Sequence, residues 1–240
     1  MLTFNIEINQ YLPIFIIYFP YFRSCTKNTD YLITIIYQDS DLLLLNKPAG
    51  IDSQDTDIIA ASIPELSGKE LLPVHRLDQR VSGLILFALN KESLVILNNA
   101  FQNRQVQKQY LAVVNVCPPK PQDTLVHWLL KDASRSKSKA FNKEIKNSKK
   151  AELKYTLLKS SEKYHLLQIE LFTGRFHQIR AQLAAIGSPI VGDVKYGYKR
   201  TIPDGSIFLQ SSHLAFLHPT SGQQLSFQID MPEQWHKYGL

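Results

Sequence analysis

Most apolar positions in this chain fall into short continuous or alternating runs bounded by turn residues, and few recur at helical spacing. Thr34 to Tyr37 and Leu42 to Lys47 (LLLLNK) predict two strands around the polar turn Gln38 to Asp41, closed by Pro48-Ala-Gly50. Residues 52 to 73 read as polar and irregular, delivering the chain to His75. Gly83 to Leu89 predicts a buried strand. Others are expected at Val106 to Val116, Leu125 to Leu130, Ala151 to Lys159, His165 to Phe172, Ser206 to Leu209, Leu214 to Leu217 and Leu225 to Ile229.

Two segments break this pattern. Asn90 is a good helix N-cap, with Leu94, Leu97 and Phe101 at helical spacing behind it, so a short helix should run to about Asn103. Ile179, Leu183 and Ile186 recur at i, i+4 and i+7, and Gly187 with Pro189 supplies a stop, which predicts a helix over His177 to Ile186. Strands outnumber helices and do not alternate with them. The expected class is therefore α+β, a mixed, largely antiparallel sheet with helices packed on it. A length of 240 residues suits one large domain over residues 31–240, without internal repeats. Residues 1–30 stand apart as an apolar extension: Tyr11 to Phe22 (YLPIFIIYFPYF) is too short to span a bilayer and is interrupted by Pro13 and Pro20. A basic leader and a small-residue cleavage site are both missing there, so the stretch reads as an added strand or as sequence upstream of a misassigned start rather than as an anchor.

Charge sharpens the picture. Between Lys131 and Lys154 nine Lys or Arg stand against Asp132, Glu144 and Glu152, which accounts for the whole net charge of +6. Such a block is either a solvated loop or a patch that tracks phosphates by releasing counterions from a polyanion. With Ser134, Ser136, Ser138 and Ser148 interleaved, it reads as an exposed, mobile connection with RNA as its partner. Cys25 and Cys117 are far apart and lack metal-ligand spacing, so neither a disulfide framework nor a zinc site is expected, and a cytoplasmic monomer fits best. The chain contains no P-loop and no Gly-x-Gly-x-x-Gly motif, and no cofactor or metal is implied.

The densest chemistry lies at residues 75 to 83, His-Arg-Leu-Asp-Gln-Arg-Val-Ser-Gly, which run into Leu-Ile-Leu-Phe-Ala. A charged loop feeding a buried strand is where binding and catalytic groups are usually mounted. Asp78 has a bland reading, an ion pair with Arg76 or Arg80, and a chemical one, a nucleophile. His75 nearby invites a His-Asp hydrolase reading, but no Gly-x-Ser-x-Gly elbow accompanies it.

This string resembles the motif of the RluA-type pseudouridine synthases, His-Arg-Leu-Asp, two variable residues, then Thr-Ser-Gly. Three further blocks match in order: LLLLNKPAG at 42 to 50, RQVQKQYLAVV at 104 to 114, and TGRFHQIRAQLAAIGSPIVGDVKYG at 173 to 197. The departures are Val81, where Thr is usual, and Phe176, where Thr or Ser is usual. The resemblance implies a pseudouridine synthase-like fold and isomerisation of uridine in structured rRNA or tRNA. The small N-terminal S4 module of many relatives is not expected, the sequence before the first block being too short and too apolar. The resemblance makes Asp78 the nucleophile, Tyr110 the ring that stacks on the target uracil, and Arg180 the partner that keeps a carboxylate charged in a site excluding water. A cation in the first turn of a helix opposes the helix dipole, which independently points to an anion outside it. Arg76 is implied to fill the space left by a flipped nucleotide. Lys47, Lys108, Arg175, His177 and Gln178 are each expected to contact RNA or to hold a loop. Two rivals remain: an RNA-binding module without catalysis, and a glycosidase whose second carboxylate would be Asp193, a residue that otherwise braces a turn.

Overall fold

The computed structural model describes residues 15–17, 33–66 and 69–240. Of the apolar Tyr11 to Phe22 stretch it describes only Phe15–Ile17, strand β1, paired in parallel with the penultimate segment of the chain. The rest of that stretch and Cys25 lie outside the described residues. Then follow β2 (Thr34–Gln38), β3 (Leu42–Lys47), α1 (Thr56–Ala61), β4 (Leu72–Pro73), β5 (Ser82–Ala88), α2 (Lys91–Gln102) and β6 (Gln107–Val114). The second half holds β7 (Gln122–Asp132), β8 (Lys137–Phe141), β9 (Lys149–Ser160), β10 (His165–Leu171), α3 (Gln178–Ala185), β11 (Leu209–Leu217) and β12 (Gln224–Gln228). All strands join one sheet, whose main path is β2-β3-β5-β11-β6-β10-β9-β7-β8. Only the β1–β12 and β5–β11 pairs are parallel, as the expected mixed, largely antiparallel α+β class requires. Among the described residues, no helix is long and apolar enough to cross a membrane.

The unbroken apolar runs of β3 and β5 follow from having both faces covered. Leu43, Leu45, Ile85 and Phe87 point into one core with α1 and α3. Leu42, Leu44, Leu84, Leu86 and Ala88 point into the other, against Leu97 and the half-buried Leu94 and Phe101 of α2. The side-chain period of two divides each strand between the cores. Asn90 caps α2 by accepting the Ser93 N–H at 2.8 Å, as its place before the apolar stripe predicts.

Three expectations are corrected. Residues 52 to 73 contain α1, capped by the Asp55 carboxylate on the Ile58 N–H, followed by a short 3-10 turn; buried Ile59, Ile63 and Leu66 form an i, i+4, i+7 stripe hidden among polar neighbours. The block 131 to 154 is not a mobile connection. It is the end of β7, all of β8 and the start of β9, in register from Trp128 opposite Phe141 to Asp132 opposite Lys137. Lysines alternating along the sheet's terminal strand suit an edge that must not pair with other chains. Finally, β11 is one strand where two were expected. Its polar centre, Gln210, Ser211 and Ser212, reads as a break in sequence but is buried between β5, β6 and β12.

Candidate active site

Nearly every residue of the loop Val74 to Gly83 is fixed by a bond that turns it away from chemistry. His75 Nε2 accepts the Leu86 N–H at 3.0 Å, and burial pushes its pKa down to about 3. A neutral imidazole used as an acceptor is an anchor, which ends the His-Asp reading. Ser53 Oγ donates to the Leu77 carbonyl and accepts the Leu77 N–H, at 2.8 and 3.1 Å. Arg80 donates to the carbonyls of Gly205, Gly192 and Ser206, stapling the loop to the 192–206 segment. Gly83 has φ +111°, and a Cβ there would fall on the Ser211 carbonyl of β11, so only glycine permits the parallel β5–β11 contact.

Lys47 belongs to this scaffold, which corrects its assignment as an RNA contact. It has no exposed surface, and its Nζ donates to the carbonyls of Pro48, Ile51 and Val81 at 2.8, 2.9 and 2.8 Å. Desolvation pulls its pKa down to about 8, against the opposing charges of Asp52 and Asp78. It holds the loop, the other role open to it.

What remains free is Arg76, exposed at the rim, and Asp78, whose side chain is 18% exposed. Asp78 Oδ2 accepts from Arg180 Nη1 at 2.9 Å, across 102 residues of sequence. The same guanidinium donates Nε and Nη2 to Asp193 Oδ2 and Oδ1, at 2.6 and 2.9 Å, and Asp193 is fully buried. Arg180 in the first turn of α3 thus meets two outside carboxylates. Desolvation disfavours its charge, but the Asp193 hydrogen bonds and the charges of Asp193 and Asp78 outweigh this and raise its pKa. Asp193 therefore braces Arg180 rather than only a turn, and with both oxygens engaged it cannot serve as a glycosidase's second carboxylate. Its position in Gly-Asp-x-x-Tyr-Gly was the only sequence signal, and spacing alone could not link it to Arg180.

Asp78 lies in a cleft of about 620 Å³ that also contains Tyr110, Arg180 and His177. Cations surround it: Arg76, Arg104, Lys108, Lys131 and Arg175. Aromatic faces lie between them. The Phe176 ring carries Lys131 Nζ at 4.7 Å and Arg76 Cζ at 5.7 Å, and Phe101 carries Lys108 at 5.6 Å. Arg175 Nε donates to the Lys150 carbonyl at 3.1 Å, leaving the rest of its fork at the rim. Gln178 is buried and orders the Thr173 to Arg175 turn, accepting from Thr173 Oγ1 and the Arg175 N–H while donating to the Glu152 carbonyl. Tyr110 is 7% exposed; burial first, then the Asp78 charge, raises its pKa to about 12 despite a hydrogen bond with Ser211. It is a neutral phenol whose ring walls the pocket.

This is a carboxylate held by an arginine, walled by a tyrosine and ringed by cations and aromatic faces, an arrangement that suits a flat ring carried on a polyanion. Residues 41–185 match the sequence family described as RNA pseudouridylate synthase. The chain belongs to the RNA pseudouridylate synthase family. It is 30% identical over 231 residues to tRNA pseudouridine synthase C of Haemophilus influenzae, covering 86% of this chain and 96% of that protein. Over 212 residues it is 35% identical to ribosomal large subunit pseudouridine synthase C of Rickettsia prowazekii, covering 85% and 69%. The solved human RNA pseudouridylate synthase domain containing 4 shares the fold, with TM-score 0.70 and 23% identity over 84% of this chain and 90% of that one. Family membership makes the chain an isomerase acting on RNA uridine.

One cluster among the described residues has the donor types of a metal site. Asp39, Asp41 and His218 bring ligand atoms close together at the β2–β3 and β11–β12 turns. His218 Nδ1 accepts the Thr220 and Ser221 N–H groups, which leaves its proton on Nε2, facing Asp39 Oδ2 at 2.8 Å. Asp41 accepts from Asn90, Ser93 and Thr220. The cluster is a satisfied network tying the two turns together.

Proposed function

We propose that this chain isomerises uridine to pseudouridine in structured rRNA or tRNA, with Asp78 as the attacking group. The observation that supports this most is the asymmetry of the Asp78 carboxylate, on a residue that lines the cleft: Oδ2 is bound by Arg180, while Oδ1 has no hydrogen-bond partner among the described residues. One oxygen is held and the other is left for carbon. The reaction breaks the bond from uracil N1 to the ribose and forms one from C5 to the ribose; C5 gives up its proton and N1 takes one up, so no atoms are gained or lost. A carboxylate that attacks carbon and then leaves can carry the intermediate, and Arg180 keeps it charged beneath a stacked base.

Tyr110 takes the face of the target uracil. Its raised pKa keeps it protonated, which favours positioning over service as a base. Arg76 lies at the rim above Phe176, where a guanidinium can stack in the gap left by an extruded nucleotide and offset a few kcal/mol of unstacking. Lys108, Arg175, Arg104 and Lys131 take the phosphates. A non-catalytic RNA-binding protein would need the cations but not the joint placement of Asp78, Tyr110 and Arg180.

Pseudouridines should be mapped in total RNA from cells with and without this gene, and from cells carrying Asp78→Asn. Loss of the same positions in the deletion and in Asp78→Asn is expected, with the variant retaining its fold and RNA affinity. Turnover by Asp78→Asn within about tenfold of wild type would remove Asp78 from the covalent role. An unchanged map in the deletion would remove the activity from these RNAs.

A further inference from the structure

His177 stands where an ordinary helix N-cap should be. It precedes α3, has φ 52° in the left-handed region and makes no side-chain capping bond, although Ser, Thr, Asn or Asp would gain one there. A strained residue that forgoes its local role is held for another purpose. Its ring is turned inward: the side chain is 9% exposed, covered on one face by Phe176 at 3.9 Å and 18°, and met edge-on by Tyr196 at 5.6 Å and 75°.

The two ring nitrogens have different partners. Nδ1 is 3.1 Å from Tyr196 Oη, and Nε2 is 3.4 Å from Asp78 Oδ2. The phenol oxygen is already the acceptor for the Ser138 N–H of β8, at 2.7 Å. Its own proton then has His177 Nδ1 as its hydrogen-bonding partner. An Nδ1 that accepts leaves the proton of a neutral imidazole on Nε2, the nitrogen that lies 3.4 Å from Asp78 Oδ2. Burial lowers the ring's pKa to about 4, against the pull of Asp78, so the neutral form is the working one. Ser138 also donates its Oγ to the Phe176 carbonyl at 2.6 Å, and Lys195 Nζ donates to the Ser136 carbonyl at 3.1 Å, so the basic hairpin is clasped to this arrangement at several points.

We propose that His177 is a positioning residue for Asp78, locked by Tyr196 and the Ser138 N–H in the tautomer that presents Nε2–H to Oδ2. The inference rests on the reading of Asp78 as nucleophile. His177 and Arg180 converge on the same oxygen, which restrains rotation of the carboxylate and leaves Oδ1 directed at the substrate. A neutral donor does this without a second cation that would weaken the nucleophile. The 3.4 Å separation exceeds an ordinary N–H···O bond, and such contacts tighten as a site closes on its substrate.

The test begins with the protein labelled with ¹⁵N-histidine, in which the His177 signal among seven histidines is assigned by its loss in His177→Gln. Two-bond nitrogen–proton correlation should show the Nε2–H tautomer at His177 in wild type, and loss of that preference in Tyr196→Phe. An Nδ1–H tautomer in wild type, or an unchanged tautomer in Tyr196→Phe, overturns the proposal. Single-turnover rates at saturating RNA provide the second readout. His177→Leu should be slower by about tenfold or more with RNA affinity kept, the loss expected for one hydrogen bond to a charged group. His177→Gln, whose amide N–H replaces the donor, should recover most of that rate. Equal rates for Leu and Gln overturn the role. Activity retained by Asp78→Asn would instead overturn the nucleophile assignment, and the tautomer measurement distinguishes that failure from this one.

Discussion

Lys47 shows how a residue can be conspicuous in a motif and yet work only as structure. A lysine beside a Pro-Ala-Gly turn reads as a surface cation, but three carbonyls converge on its ammonium and none of it is exposed. Removing the donor leaves the buried Val81 carbonyl and the part-buried carbonyls of Pro48 and Ile51 without it. Lys47→Met should therefore destabilise the protein by on the order of 3 kcal/mol, since each buried polar group left without a partner costs about 1–3 kcal/mol. Chemical denaturation at neutral pH checks this; a variant as stable as wild type would mean that the turn repacks. Asp193 is the converse case. It looks like a turn residue and is in fact the counter-ion that holds Arg180 in place for Asp78.

At the scale of elements, β5 and the loop before it act as a unit, and His75 is the joint. Its Nε2 accepts from the middle of β5, and burial pulls its pKa down to about 3. The sign follows from the two states. Above the ordinary histidine pKa near 6.5 the ring is neutral in both, and its contribution to stability is fully present. Below that value the unfolded chain binds a proton that the folded one refuses, so stability is lost as pH falls toward 3. His75→Gln can still accept the N–H but does not titrate. The stability difference between wild type and His75→Gln should therefore shift against wild type by at most about 1.4 kcal/mol per pH unit between pH 6 and 4, measured by urea unfolding. Parallel pH profiles would show that His75 is not the titrating group.

The whole molecule sets two basic features side by side: a cleft ringed by cations, and an edge hairpin rich in lysine, with Lys131 of β7 belonging to both. Lys146, Lys149 and Lys150 are exposed on the approach to and start of β9; none of them lines the cleft, although the Lys150 carbonyl accepts from Arg175, which does. Neutralising the three together should weaken RNA binding and make the slope of log K against log salt shallower by roughly 0.7 to 0.9 per lost phosphate contact. Single-turnover rates at saturating RNA should not change. An unchanged salt slope would confine the RNA footprint to Arg76, Arg104, Lys108, Lys131 and Arg175.

Much of this organisation was legible without coordinates, for identifiable reasons. The α+β class, α3 to within a residue at each end, the capped α2 and the strands β3, β5, β9 and β10 follow from local periodicity and turn chemistry, which need no distant partner. The family motifs likewise singled out Asp78, Tyr110 and Arg180, which meet in one cleft, because each is carried by a short string. Polar strands were harder. The centre of β11 and the whole of β8 lack an apolar stripe, so pattern alone reads them as loops. Only the tertiary structure decided which groups meet. It brought Asp78, Arg180 and Asp193 into one chain of charges, buried Lys47, retired His75 to an anchor, and ran a line of contacts from Ser138 through Tyr196 and His177 to Asp78. Those pairings join residues far apart in the sequence, and spacing along a chain carries no information about which of several cations or carboxylates a folded sheet will bring within hydrogen-bond distance.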